Sequence, residues 1–481
     1  MSGTPRGRRA ILASAVACLL AGQANIGGVH ATFTSAATGG GAHLTSRNSF
    51  QLTQTASTAG CVSEDGLSGA CADDVGLKEP AGLAVTHDNT FLYVASYSSS
   101  GVAAFSRDTT TGALTQLSGN NACVTNATTT GCALGKALSQ PWGIAISPDD
   151  KNVYTASYGS SGVAAFSRDT TTGVLTQLSG TNGCVTNSGT SGTCATGKAL
   201  GGADGIAVSP DGAYVYVASY SDAAVAVFSR NSSTGVLTQL SGTSGCVSNS
   251  GTSGTCVVGK GMTGVVAITV SPDGGGLYTA SDTDNAVGIF SRNTGTGVLT
   301  QLSGTGGCIS NTGSSGACVT GSNLAGSYDV AVSPDSASVY VAASTSGAIT
   351  VYSRNTGTSA LTQLSGTSGC VSDGGSGGCA TGVAMQGLQT VTVSPDGQDV
   401  YGGGFTSDAV SVFKRKSDGS LSQWAATRGC ISNTGTSGSC TTGRGLGGIH
   451  RVTVAPDGRD VYTGGTHSTA TGSVAILFRT H

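Results

Sequence analysis

The sequence predicts an all-β fold, a seven-bladed β-propeller of four-stranded antiparallel blades. Three observations carry that prediction. Fourteen of the 15 cysteines fall in seven pairs, with steps of 62, 61, 62, 62, 62 and 60 residues between first members. Each repeat holds four short alternating apolar runs and no stretch of helical period. Aromatic residues recur in register from copy to copy. One four-stranded unit buries too little to fold alone, so stacking the units and closing the ring must supply the core.

The chain opens on Arg6, Arg8 and Arg9 followed by an apolar run from Ala10 to Gly22. That run is too short to span a membrane and has the form of a signal peptide. Small residues at Gly22-Gln23-Ala24 place cleavage before Asn25, which gives a leader over 1–24 and removes the odd cysteine, Cys18. Residues 25–48 read as a flexible segment and 49–481 as the propeller. An even cysteine set suits an oxidising compartment, so the expected location is secreted or cell-surface. Without the leader, Lys+Arg falls from 22 to 19 against 25 Asp+Glu. An acidic balance excludes a nucleic-acid partner, which needs a basic stripe. No second apolar run has membrane-spanning length, so no transmembrane segment is expected.

The second repeat shows the pattern. Strands are expected at Gly143–Ser147, Asn152–Ser157, Gly162–Ser167 and Val174–Leu178, with Pro148-Asp149-Asp150 turning the chain after the first. Proline presets the turn dihedral and aspartate tolerates its exit. The second strands carry Tyr93, Tyr154, Tyr216, Tyr278, Tyr340, Tyr401 and Tyr462. The third strands carry Phe105, Phe166, Phe228, Phe290, Tyr352, Phe413 and Phe478. Fourteen copies mark packing residues between sheets. Arg107, Arg168, Arg230, Arg292 and Arg354 end the third strands of the first five copies, a structural or solubilising series on the far face. The last repeat lacks a Leu-Thr-Gln-Leu strand, and Leu52-Thr53-Gln54-Thr55 supplies one at the other end of the chain. The N-terminal strand is therefore expected to complete the last blade and cover a free edge.

Local pairing is the economical disulfide connectivity: Cys61–Cys71, Cys123–Cys132, Cys184–Cys194, Cys246–Cys256, Cys308–Cys318, Cys370–Cys379 and Cys430–Cys440. Spacing alone leaves other pairings open. Each loop is polar and has no apolar content to hold it, so the bond substitutes for a core, at about 2–3 kcal/mol on the entropic model. These loops are expected to form a crown on the face where the inner strands begin. No CxxC occurs and no histidine recurs beside the pairs, so no metal is assigned. Asp282 and Asp284 match a fragment of a calcium loop without its 12-residue pattern. No cofactor is implied.

Function in a repeat protein belongs where copies differ on a shared face. Seven equivalent positions at the start of the inner strands read Ala81, Trp142, Asp204, Val266, Tyr328, Gln389 and His450. The next positions read Gly82, Gly143, Gly205, Ala267, Asp329, Thr390 and Arg451. Both sets should line the channel mouth beneath the crown. Asp204 or His450 would serve as a general base on water, Asp329 is a further acidic candidate for catalysis, and Arg451 would hold a carboxylate or a developing oxyanion. Trp142, Tyr328 and Gln389 would bind a ligand, the two rings by stacking.

Ser209-Pro210-Asp211-Gly212, Tyr216-Val217-Ala218-Ser219, Ala226-Val227-Phe228 and Gly235-Val236-Leu237-Thr238 resemble blades of the bacterial lactonase family. That group includes 6-phosphogluconolactonase-like propellers and shades into surface propellers with a Tyr-Val-Thr-Asn repeat. The resemblance covers roughly residues 50–480, with the cysteine loops as an addition. It implies a histidine, an arginine and an acidic residue near the mouth, and only His450 and Arg451 align with them. The near-identical blades favour a non-catalytic module that binds an extracellular glycan, the cell wall or a protein, or that simply builds the surface. The resemblance implies the alternative, a secreted hydrolase that opens a lactone or cyclic ester.

Overall fold

The computed structural model describes residues 50–468 and 471–480. The leader over 1–24 and the segment 25–48 lie outside the described residues. Seven mainly antiparallel sheets follow one another along the chain, each with an inner strand on the channel and later strands farther out. The second blade comprises Pro141–Ile146, Asn152–Ser157, Gly162–Arg168, Leu175–Gln177, Cys184–Thr186 and Ala195–Thr196.

Each sheet thus has six strand segments, where four were expected. The outer strand arrives in two pieces. Leu175–Gln177 pairs with the end of the third strand, Phe166 opposite Gln177. Cys184–Thr186 pairs with its beginning, Val163 opposite Val185. A 3-10 turn over Gly180–Gly183 separates them. The crossing is tight: a Cβ on Gly183 would sit 2.2 Å from the Leu178 carbonyl oxygen. The disulfide loop then adds Ala195–Thr196, parallel to the second piece. All seven bonds join the local partners. The cysteine strands therefore lie on the outer edges of the blades, beyond the third strand and level with the start of the inner strand, as the Pro141–Ser157, Ser157–Gly162 and Gly162–Thr186 pairings show.

The last blade is closed by the N-terminal strand. Gln51–Gln54 pairs with the final strand, Gln51 opposite Thr480. Cys61–Ser63 continues along the same edge, Cys61 opposite Ala475. This register corrects one expected core residue. Gln54 lies opposite Leu477, as Gln177 lies opposite Phe166. Leu477 fills the aromatic slot and is buried, while Phe478 falls one step farther on and is only partly buried. The other thirteen register aromatics are fully buried.

Two side-chain devices join each blade to its neighbour. The glutamine of each Leu-Thr-Gln copy, and of Leu-Ser-Gln at Gln423, clamps a backbone segment of the preceding blade. Gln177 accepts from Lys136 N at 2.9 Å and donates to Lys136 O at 2.9 Å. Gln54 does the same to Arg444 across the ring closure. The second device is the arginine at the end of the third strand. Arg230 Nε donates to Tyr154 Oη of the preceding blade at 3.0 Å and Nη2 to Asp149 at 2.8 Å. Its Nη1 donates to Gly212 O of its own blade at 3.0 Å. Tyr154 Oη in turn donates to Gly235 O at 2.8 Å.

The series extends through Arg415 and Arg479, so it has seven members, and their side chains are almost wholly buried. The arginines are inter-blade staples and not solubilising groups. At the seventh seam Arg479 bonds Asp399 and Asp396, and Tyr401 Oη is left without a partner. Removing Arg292 takes the donor from the buried Tyr216 hydroxyl, which keeps its own bond to Gly297 O, and the counter-charge from Asp211. Arg292→Met is expected to lower stability by about 2–4 kcal/mol in denaturant unfolding with disulfides intact. The exposed Arg459→Met should stay within about 0.5 kcal/mol of the parent.

Candidate functional site

Each inner strand carries a bulge at its start. In the second blade Pro141 lies opposite Ser157 and Gly143 opposite Ala156, so Trp142 is the extra residue. The same shift brackets Ala81, Asp204, Val266, Tyr328, Gln389 and His450. A bulge re-aims a side chain that the pleat would otherwise send to a blade face. It brings both the bulge residue and its successor toward the mouth, which explains why two adjacent positions vary together.

The successors form the channel wall. Three are glycines, and a Cβ on Gly82, Gly143 or Gly205 would meet the next blade's carbonyl oxygen at 2.5, 2.4 or 2.8 Å. Side chains therefore enter from the opposite arc. Arg451 Nη1 donates to Asp329 Oδ2 at 2.9 Å, joining blades seven and five. Asp329 also accepts Val391 N and Val330 N, each at 3.0 Å, so its carboxylate is held on three sides. The pair ends a chamber of about 130 Å³ whose other walls are those glycines, Ala267 and the side chains of Leu83, Ile144, Ile206 and Ile268.

Asp204 is buried beside this pair. Its Oδ1 has no hydrogen-bond partner among the described residues. Burial drives its carboxyl well above the ordinary carboxylate range, opposed by the charge of Arg451. Burial likewise pushes the Tyr328 phenol up.

His450 does not join this group. Its Nδ1 donates to Gln389 Oε1 at 2.8 Å and its Nε2 accepts from Thr466 Oγ1 at 2.9 Å. The ring packs against Trp142 and Phe405, with centroids at 5.3 and 5.1 Å. Burial, aided by Arg451, lowers its pKa to about 4. Both nitrogens are engaged and neutral, so His450 holds Gln389 and has no lone pair free for water. Trp142 and Gln389, two of the expected ligand-binding residues, meet through this ring.

A second ring follows the second strands: Tyr97, Tyr158, Tyr220, Asp282, Ser344 and Phe405 come directly after them, and Thr466 holds the equivalent register position inside the longer last one; of these the sequence reading singled out only Asp282. Their signal was a varying position at fixed register, hidden because it follows a nearly constant Ala-Ser. Asp282 belongs to this ring and burial raises its pKa. Asp284 caps a turn by accepting Thr263 N at 2.8 Å. Among the described residues no three His, Cys, Asp or Glu side chains gather as a metal-ligand set. Among them, too, no helix is long and apolar enough to cross a membrane.

The family described as lactonase, 7-bladed beta-propeller, matches residues 202–310, the third blade and most of the fourth. The chain is similar in structure to the periplasmic gluconolactonase of Pseudomonas aeruginosa, at 15% identity and TM-score 0.50 over 72% of this chain and 84% of that one. It is also similar to hydrazine synthase of Kuenenia stuttgartiensis, at 15% identity and TM-score 0.51 over 84% of this chain and 97% of that one. No curated protein matches it. The chain is a seven-bladed propeller that resembles the bacterial gluconolactonase-family folds, and proteins of different named chemistry share that architecture.

The His450 geometry sets a pH dependence. Between its ordinary 6.5 and about 4 the unfolded chain binds a proton that the folded chain refuses. Stability is full above that window and is lost as pH falls through it, by up to about 3 kcal/mol. Denaturant unfolding from pH 7 to 4 should show this loss in the parent, and His450→Gln should remove that component.

Proposed function

We propose that the chain is a hydrolase of a lactone or related cyclic ester, acting at the channel mouth with Asp204, Arg451 and Asp329. The observation that carries this reading is a buried carboxylate with an unpartnered oxygen, Asp204, in the field of Arg451, whose guanidinium is anchored by a fully bonded Asp329. A preorganised charge of this kind acts where negative charge develops in acyl transfer.

The carbonyl oxygen of the substrate faces Arg451, and Asp204 holds a water against the carbonyl carbon. The water adds as Asp204 takes its proton, and Arg451 stabilises the oxyanion. The ring C–O bond then breaks, and the leaving alkoxide takes the proton back from Asp204. Lactone and water are thereby joined as one hydroxy acid, whose new carboxyl group loses its proton to solvent and is held as a carboxylate by Arg451. The apolar wall of the chamber accepts the carbon skeleton. Seven disulfides support a secreted or cell-surface setting.

A binding-module reading rests on a different observation, the partly exposed rings of Tyr97, Trp142 and Phe405 at the same mouth. Such rings stack on a glycan or a protein segment without chemistry.

A lactone-hydrolysis screen separates the two. Asp204→Asn should lower kcat/KM by about 100-fold or more. Arg451→Met should lower it by about 100–1,000-fold. Asp204 works ionised, so the rate should rise with pH through an apparent pKa above the ordinary carboxylate range. A parent rate equal to buffer and to both variants would sink the hydrolase and leave binding alone.

A further inference from the structure

Ala81 is the smallest residue of the bulge ring, and the gap it leaves is spanned from both sides. Trp142 of blade two reaches past it to His450 of blade seven, with ring planes at 72°. Tyr97 of blade one stands edge-on to Trp142, with centroids 5.4 Å apart and planes at 86°. Phe405 flanks His450 and is 40% exposed. These near-perpendicular rings wall a corner that is open to solvent on one side.

One carboxylate stands at that corner. Glu79 Oε1 lies 3.9 Å from His450 Nε2, and its side chain is 26% exposed. Among the described residues Glu79 Oε2 accepts only the Ser98 hydroxyl, at 2.6 Å. The neighbouring cations are committed elsewhere. Arg451 bonds Asp329, and Lys78 turns to Glu64 at 3.9 Å. The imidazole between the rings is neutral at physiological pH. The corner therefore pairs aromatic faces with an unneutralised negative charge.

We infer that this corner is a binding site for an alkylammonium group, methylated or quaternary, held against Trp142 and Tyr97 and balanced by Glu79. The negative faces of aromatic rings attract a weakly hydrated cation, and a partly desolvated carboxylate adds to that attraction. The same arrangement repels phosphate and carboxylate groups. The assignment stands apart from hydrolysis and holds whether or not the chamber turns over a lactone.

Calorimetric titration of the parent protein with tetramethylammonium chloride tests it, with sodium chloride at equal ionic strength as the blank. Saturable binding in the millimolar range is expected. The neutral shape-match 3,3-dimethylbutan-1-ol should bind about tenfold more weakly, and Glu79→Gln should weaken tetramethylammonium by about tenfold. Phe405→Leu, at the exposed side, tests the wall with little risk to folding and should also weaken binding. The chain has 2 tryptophans, so Trp424→Phe leaves Trp142 fluorescence as a local reporter that should respond to the cation. Absence of saturable heat, equal affinity for the alcohol, or an unchanged Kd in both Glu79→Gln and Phe405→Leu would overturn the assignment.

Discussion

A buried guanidinium at each seam is the constraint on which the rest of this ring depends. An arginine withdrawn from water must find its counter-charge and its hydrogen-bond acceptors in fixed places. Here they come from two blades at once: a tyrosine and an aspartate from the preceding blade, a turn carbonyl from its own. Each staple therefore sets the position of one sheet against the next. It also accounts for the recurring aspartate turn and third-strand arginine, and at six of the seven seams for the tyrosine that the arginine bonds. The glutamine clamps and the disulfides impose similar demands on the outer edge.

With the far face and the perimeter so committed, the mouth is left free to differ. The bulge is the local device that uses this freedom, since it turns two consecutive side chains inward without disturbing the pairing behind them. Glycine on three blades opens one arc of the wall, and Asp329 and Arg451 fill the other. A symmetric scaffold thus holds one asymmetric chamber with an apolar side and a charged end. The aromatic corner over Ala81 is a second product of the same asymmetry. It is made possible by one small residue between two large ones.

The architecture was legible because it is written seven times, and each copy confirms the strands of the others. Blade closure was legible because a missing strand at one end matched a surplus strand at the other. The split outer strand was not, since a glycine-rich turn between two short apolar pieces reads as loop. Repetition marked the arginines as structural or solubilising, but it could not decide between the two, because an arginine after a serine at a strand end looks solvated and its partners lie about 76 residues away in sequence. Phe478 was assigned to the core because a one-residue slip is invisible without the pairing partner. At the site, the varying positions were found by comparing copies. The engagement of His450 was not, because Gln389 and Thr466 reach it from different strands.

The central claim is that chemistry resides where the seven copies disagree, in the chamber under Asp204 and Arg451. A crystal structure of the protein soaked to saturation with a hydroxy acid such as gluconate addresses it most directly. The account predicts the acid in the chamber, its carboxylate on Arg451 and a hydroxyl or water on Asp204 Oδ1. A chamber holding only water, with the acid bound among the disulfide loops at the outer edge, would contradict it.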